Sequence, residues 1–375
     1  MRDRTVFSYK GLEVKVSGEA CDEVERLLSE TVMGSEGGMQ YVVRNIPEKL
    51  EAYGDRIRLV SLWRNYSLAG VIGACYREFV LNGVRNKCTF LRYLSLRQIY
   101  QTVRVFEKRP GRERKGIGGE GFKKQALKMF SQPHLLGFPG VKENERHILY
   151  AYVESRNERT KNIVQQAGYE YIRSFLTVAF SRFSPVASGS VSRAAEKDYP
   201  VIRKLLAEYY EGYSFFSDTM AFQGDNFYVL RENGRIIAGV AAVPTEYVIH
   251  NVPGVWGWIM MKILPFAPYW RRLFKPGLFK FTALDSIFHL PGRADVLATL
   301  FESVCAATGN NTALTWADDR GPLYDTLRTQ VDLGALNRLL NAKPGLVYAR
   351  FTDIAGDERD MFYDAPAYIS GFDFS

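Results

Sequence analysis

Two Asn-Gly pairs constrain this chain most. Asn82-Gly83 joins "SLAGVIGACYREFVL" to "VRNKCTFLRYLSLR", and Asn233-Gly234 joins "NFYVLRE" to "RIIAGVAAVPT". An Asn-Gly pair between two apolar, β-rich runs signals a two-residue hairpin, because both turn residues must take positive φ. A hairpin in each half of the chain means antiparallel strands in each half. A purely parallel, doubly wound sheet is excluded.

The elements around the hairpins repeat in order. In the first half "DEVERLLSETV" reads as a helix and "IRLVSLW" as a strand ahead of the hairpin; after it come the helix "FKKQALKMF", the strand "HILYAYVE", the helix "NERTKNIVQQAGY" and the strand "YIRSFLTVAFSRF". The second half gives the helix "EKDYPVIRKLLAEYYEGY", its hairpin, the strand "FKFTALDSIFHL", the helix "ADVLATLFESVCAATG", the strand "NTALTWAD", the helix "GPLYDTLRTQV" and the strand "GLVYARFTD". The stretch "SPVASGSVS", 184–192, is small, polar and without periodicity, so the boundary falls there. Two α/β domains are expected, 1–184 and 192–375, which suits a chain of 375 residues.

A formal charge of +8 favours anionic partners such as phosphates. Cys21, Cys75, Cys88 and Cys305 lie far apart with no C-x-x-C pair, and His134, His147, His250 and His289 show no ligand spacing. That argues for reduced thiols in a cytoplasmic protein, with no metal. The run "VWGWIMMKILPFAPYW", 255–270, carries Lys262 and is broken by Pro265 and Pro268, so it is too interrupted to span a bilayer. It reads as a buried or substrate-covering insertion, with interfacial contact through 255–274 as the alternative.

"RERKGIGGEGF", 112–122, contains a literal G-x-G-x-x-G at Gly116, Gly118 and Gly121. A dinucleotide fold would need these glycines directly after a buried strand, whereas "RPGRERK" precedes them. There is no G-K-[ST], which excludes the nucleoside-triphosphate loop, and no "HRD"-like stretch of a kinase. "ERKGIG", 113–118, instead resembles the [RQ]-x-x-G-x-[GA] loop of the GNAT superfamily of acyl-CoA-dependent N-acyltransferases. A second motif follows at the family's distance: directly after "HILYAYVE", Asn157, Thr160, Ile163, Val164, Gly168 and Tyr169 match the spacing of N-x-x-A-x-x-L-Y-x-x-x-G-F. Two departures stand out. Glu113 occupies the Arg/Gln position, flanked by Arg112 and Arg114, and Val164 replaces the tyrosine that protonates the departing thiolate in many members.

The resemblance implies, for each half, a mixed and mostly antiparallel sheet flanked by helices, splayed between its fourth and fifth strands. It also implies that acyl-CoA, acetyl-CoA by default, binds the first half through Arg112, Arg114, Lys115, Gly116, Ile117, Gly118, Gly119 and Asn157, where loop amides and a helix N-terminus face the pyrophosphate. The second half keeps only Gly292 before its helix, so it is read as degenerate; "GPLYDTL" places Leu323 and Tyr324 where the family has Leu-Tyr. Similar tandem layouts occur among mycothiol synthase-like enzymes, N-myristoyltransferases and Fem-type aminoacyl transferases. The implied reaction moves an acyl group to the amine of a small molecule or peptide by direct attack. Glu78, the one acid between Ser67 and Gln98, is the candidate base, and Tyr324 the candidate acid. An aminoacyl-tRNA-dependent transferase and a catalytically silent CoA-binding protein are the alternatives. Nucleic acid and membrane are not the expected partners, and the oligomeric state is open.

Overall fold

The computed structural model describes residues 4–34, 37–97, 128–275, 277–340 and 342–374. The chain opens with the strands β1 (Arg4–Tyr9) and β2 (Leu12–Ser17) and the helix α1 (Asp22–Glu30). Then come β3 (Gln40–Val43), α2 (Ile46–Tyr53), β4 (Ile57–Arg64), β5 (Ser67–Leu81) and β6 (Val84–Leu96). The strand β7 (His147–Glu154), the helix α3 (Glu158–Gln166) and β8 (Glu170–Ser181) complete the first half. The second half runs β9 (Val191–Arg193), α4 (Tyr199–Tyr209), β10 (Phe227–Glu232), β11 (Arg235–Asn251), α5 (Gly254–Lys262) and β12 (Leu278–His289). It ends with α6 (Leu297–Thr308), β13 (Thr312–Asp318), α7 (Pro322–Gln330), α8 (Ala335–Leu339), β14 (Gly345–Thr352) and α9 (Gly356–Asp364).

Local chemistry explains the clearest of these. Asn82 and Gly83 take φ of 49° and 77°, and Asn233 and Gly234 take 48° and 77°, the type I′ geometry whose twist matches the flanking strands. In α1 the apolar Val24, Leu27 and Leu28 fall on one face, and Asp22, Glu23 and Glu25 sit in the first turn where the helix dipole favours acids.

The strands form one mixed, mostly antiparallel sheet in the order β1-β2-β4-β5-β6-β7-β14-β8-β13-β12-β11-β10-β9, with β3 pairing β11. Its centre is interleaved. The last strand of the chain, β14, lies between β7 and β8 and is antiparallel to both. In turn β8, the last strand of the first half, pairs with β13 of the second from Phe175 to Ser181. Each half therefore completes its sheet with a strand from the other, a cross-connection that the repeat of elements alone does not reveal.

One face of the sheet carries a core running through both halves, built on Leu28, Leu50, Tyr53, Phe90, Tyr150, Phe215, Phe281 and Phe362 and covered by α1, α2, α4 and α9. The opposite face carries two smaller cores. One is under α6 and α7; the other includes Val164 of α3, Leu149 and Tyr348.

Candidate active site

Among the described residues each half contains one parallel strand pair, and both pairs splay. β6 and β7 are paired only from Cys88–Leu91 against Ile148–Ala151, leaving β6 to run on to Leu96 and β7 to Glu154 unpaired with each other. β12 and β13 are paired only at Thr282–Ala313 and Ala283–Leu314. Just past each pairing the fourth strand bulges. The β5–β6 register jumps from Gly73↔Arg92 to Val71↔Ser95, with Tyr93 left-handed at φ 57°. The β11–β12 register jumps from Gly239↔Phe288 to Ala241↔Asp285, with Ser286 at φ 50°. A left-handed non-glycine residue stores strain, and bulges re-aim side chains and backbone beside functional sites.

In the first half the bulge turns Arg92 and Tyr93 toward the same face. The Arg92 guanidinium lies 3.9 Å over the Tyr93 ring and donates to the Tyr53 hydroxyl from α2. Tyr93 carries left-handed backbone and a large ring because the facing strand has Gly73, whose missing Cβ would stand 3.2 Å from the Tyr93 ring. Burial pushes the Tyr93 hydroxyl up to about 12. One helical turn before Tyr53, Lys49 buries its amine without a hydrogen-bond partner among the described residues; burial and then the Arg92 charge lower it to about 7. Across the splay, Tyr152 of β7 packs on Phe90 at 4.6 Å, on Phe175 at 5.1 Å and on Trp316 of the second half at 5.8 Å. Glu154 follows at the open end of β7, and its charge, after burial, helps raise Tyr41 to about 12. Tyr41 stacks on Tyr247 of β11 at 4.1 Å. The result is a cluster of aromatic rings from both halves, with Arg92, Lys49 and Glu154 as its charged groups; Phe374 joins it, packing on Trp316 at 4.3 Å.

The matching cleft of the second half is filled by the chain's own tail. The backbone amide of the bulge residue Ser286 donates to the Tyr368 hydroxyl at 3.1 Å, and that hydroxyl donates to Asp285 Oδ1 at 2.7 Å. The Gly371 amide donates to the same Asp285 oxygen at 2.8 Å, and the Ala367 amide to Asp318 Oδ2 at 2.7 Å. Only glycine allows this approach: a Cβ on Gly371 would stand 1.8 Å from the Leu284 carbonyl oxygen. Between Tyr210, Asp285, Asp318 and Tyr368 the space left is about 10 Å³, room for one water. Beyond this cleft the tail crosses to the first half, where Arg77 of β5 clasps Asp373 and Tyr247 donates to the Phe374 carbonyl.

The residues singled out from sequence do not gather at one point. Arg112, Arg114, Lys115, Gly116, Ile117, Gly118 and Gly119 lie outside the described residues. Asn157 caps α3, its side-chain oxygen accepting from the Thr160 amide at 3.0 Å. Val164 is buried in the core beneath α3. Glu78 stands near the hairpin end of β5, opposite Lys87 and four residues from the splay. It accepts from the Tyr76 hydroxyl at 2.6 Å and pairs with Arg85 at 3.5 Å. Tyr76 packs on the α3-side core and Arg77 and Phe79 on the side of the Tyr150 and Phe90 rings, so strand alternation puts Glu78 on the face away from Arg92 and Lys49. Tyr324 is half-buried on α7 beside the tail-filled cleft. Sequence reasoning missed Lys49, Tyr53, Arg92 and Tyr93. The signal that could have found Arg92 is a lone arginine inside the apolar run "CTFLRYL".

No protein-family model matches the sequence, and no curated protein is similar to it. Solved structures are similar in fold. Saccharomyces cerevisiae N-myristoyltransferase with bound myristoyl-CoA superposes with a TM-score of 0.58 at 8% identity, over 92% of this chain and 84% of that one. A second structure of the same yeast enzyme, also with myristoyl-CoA, gives 0.55 at 9% identity, over 93% and 80%. A GCN5-related N-acetyltransferase from Anabaena variabilis is less similar, at 0.45 and 10% identity over 90% and 73%. With a splayed parallel pair in each half, bulged on its first strand, this chain has a GNAT-like fold in tandem.

Proposed function

We propose that the chain is an acyl-CoA-dependent N-acyltransferase whose single working site is the splay between β6 and β7. The observation that carries this reading is the contrast between two equivalent splays: the second is filled by Tyr368 and Gly371, whereas the first gathers Arg92, Lys49 and aromatic rings from both halves, with Asp373 and Phe374 of the tail beside them. The myristoyl-CoA in the yeast structures supports a thioester donor. The loop from Arg112 to Gly119 would hold the pyrophosphate, and Asn157 orders the start of α3.

The acceptor amine attacks the thioester carbonyl at this splay. A C–N bond forms, an oxyanion develops, and the C–S bond then breaks with the electron pair leaving on sulfur. A backbone amide of the Arg92–Leu94 bulge stabilises the oxyanion; the Ser286 amide, which already donates to a tail hydroxyl at the corresponding bulge, supports that role. Glu154, at the open end of β7, takes the ammonium proton, a task that Glu78 cannot reach from the other face. The thiolate collects a proton from water or from the Tyr152 hydroxyl, since Val164 leaves α3 without an acid.

The test is incubation of the full chain with acetyl-CoA or myristoyl-CoA and a panel of amines, with the acylated product read by mass spectrometry. Amide formation that requires both substrates and falls at least about 100-fold in Glu154→Gln is expected. Acyl-CoA binding without transfer to any amine would favour a silent binding protein. Transfer only from aminoacyl-tRNA would favour the Fem-type reading.

A further inference from the structure

The apolar run 255–270 is folded as α5 followed by two short 3-10 turns, Leu264–Phe266 and Trp270–Arg272. Its inward side is settled: Met260, Met261, Leu264 and Trp270 pack on the core that also carries Tyr41, Tyr152 and Trp316. Its outward side is not polar, as it would be on an ordinary surface helix. Val255 is 75% exposed, Trp258 58%, Phe266 76% and Tyr269 70%, with Ile263 also exposed. Five of the fifteen exposed large apolar side chains among the described residues therefore fall within positions 255–269. The excursion is held in place, with Arg272 donating to the Phe183 carbonyl at 3.0 Å and Phe183 packing on Trp270 at 5.4 Å.

Charge identifies the partner. From Tyr247 to Phe279 there is no Asp or Glu, while Lys262, Arg271, Arg272 and Lys275 are all basic; Lys280, just beyond, is paired with Glu246. A second copy of this chain would bring like charges together. Nucleic acid would satisfy the cations and leave the apolar side chains in water. An anionic bilayer meets both, since apolar side chains enter the headgroup region while Lys and Arg lie at the phosphates. No described helix is long and apolar enough to cross a membrane, so contact is with the surface. We infer that residues 255–275 are a docking surface for anionic membrane. This inference stands on exposure and charge and does not depend on the acyl-transfer reading.

The experiment is co-sedimentation of the full chain with phosphatidylcholine vesicles, with and without roughly one-third phosphatidylglycerol. Binding to the anionic vesicles that weakens with salt is expected, with little on phosphatidylcholine alone. Trp258→Ser combined with Phe266→Ser should lower partitioning at least about tenfold, because each ring loses its transfer into the interface. Lys262→Gln and Arg271→Gln should each lower it about fivefold. Both pairs are solvent-exposed, so unchanged thermal unfolding serves as the control, and the charge variants keep the test decisive if the aromatic pair misfolds. The inference is overturned if the wild type stays in the supernatant with anionic vesicles, or if neither pair of variants alters binding. It is also overturned if the aromatic pair instead converts a dimer to a monomer, which would make a second copy the occupant.

Discussion

Asp373→Asn probes how tightly the tail is built into the fold. Arg77 Nη1 donates to Asp373 Oδ2 at 3.0 Å and to the Tyr150 hydroxyl at 3.0 Å, while Nη2 donates to the other carboxylate oxygen. The two side chains are 6% and 0% exposed, and the carboxylate, acting against burial, holds Arg77 in its charged form. An asparagine keeps the shape but leaves a buried guanidinium with a single uncharged acceptor and a hydroxyl. Breaking such a pair costs about 3–5 kcal/mol, a large share of a typical total near 5–15 kcal/mol. With an unfolding entropy of about 2.1 cal/mol/K per residue, the melting temperature should fall by roughly 5 °C. The cost can also be shed locally by releasing the tail, so denaturant unfolding should be run beside limited proteolysis of the C-terminus. Arg77→Met should be comparably harmful, and Arg77→Met with Asp373→Leu should recover much of the loss. If Asp373→Asn costs under about 1 kcal/mol while the tail stays protected, the pair is solvated and the tail is not the plug described above.

Lys49 makes stability depend on pH in a particular direction: its folded pKa of about 7 lies below the unfolded value near 10.4, so between them the unfolded chain binds more protons. Stability should therefore rise with pH across that window, and Lys49→Met should remove the rise and stabilise the protein at pH 7, as read by urea midpoints. Val164→Tyr restores the family's tyrosine only on paper; Val164 is core, so the variant should lose about 1–3 kcal/mol without gaining turnover, which paired unfolding and rate assays would check. Gly118→Asp should abolish acyl-CoA binding by calorimetry, while Gly292→Asp, whose side chain meets open space but whose backbone is left-handed at φ 74°, should lower stability and leave the affinity of the folded protein unchanged.

The hairpins, the strands β4 to β8 and β10 to β14 and the fold class were legible because short-range chemistry specifies them, whereas β1 to β3, α2, β9, α8 and α9 were not read. Asn-Gly requires two positive φ angles in succession, and "HILYAYVE" reads as strand β7 over its full length. Interleaving was not legible: "GLVYARFTD" identifies itself as a strand but carries no local mark that its neighbours are β7 and β8 rather than β13. The site was half legible for a related reason. The Asn157 spacing found the start of α3, yet Arg92 and Lys49 meet only through a bulge and a helix packed over it, contacts that no sequence period encodes. Glu78 illustrates the limit of choosing by elimination. Alternation along β5 places it on one face or the other, and only the completed sheet shows which face carries Arg92 and Lys49.

Calorimetric titration of the full chain with acyl-CoA tests the central claim most directly, because it counts sites. Tyr368 and Gly371 fill the second cleft, so one acyl-CoA should bind per chain, in the first half, with the heat lost in Gly118→Asp. Binding of two molecules would mean that the tail leaves its cleft, and no binding at all would mean that the tandem GNAT-like fold serves a different ligand here.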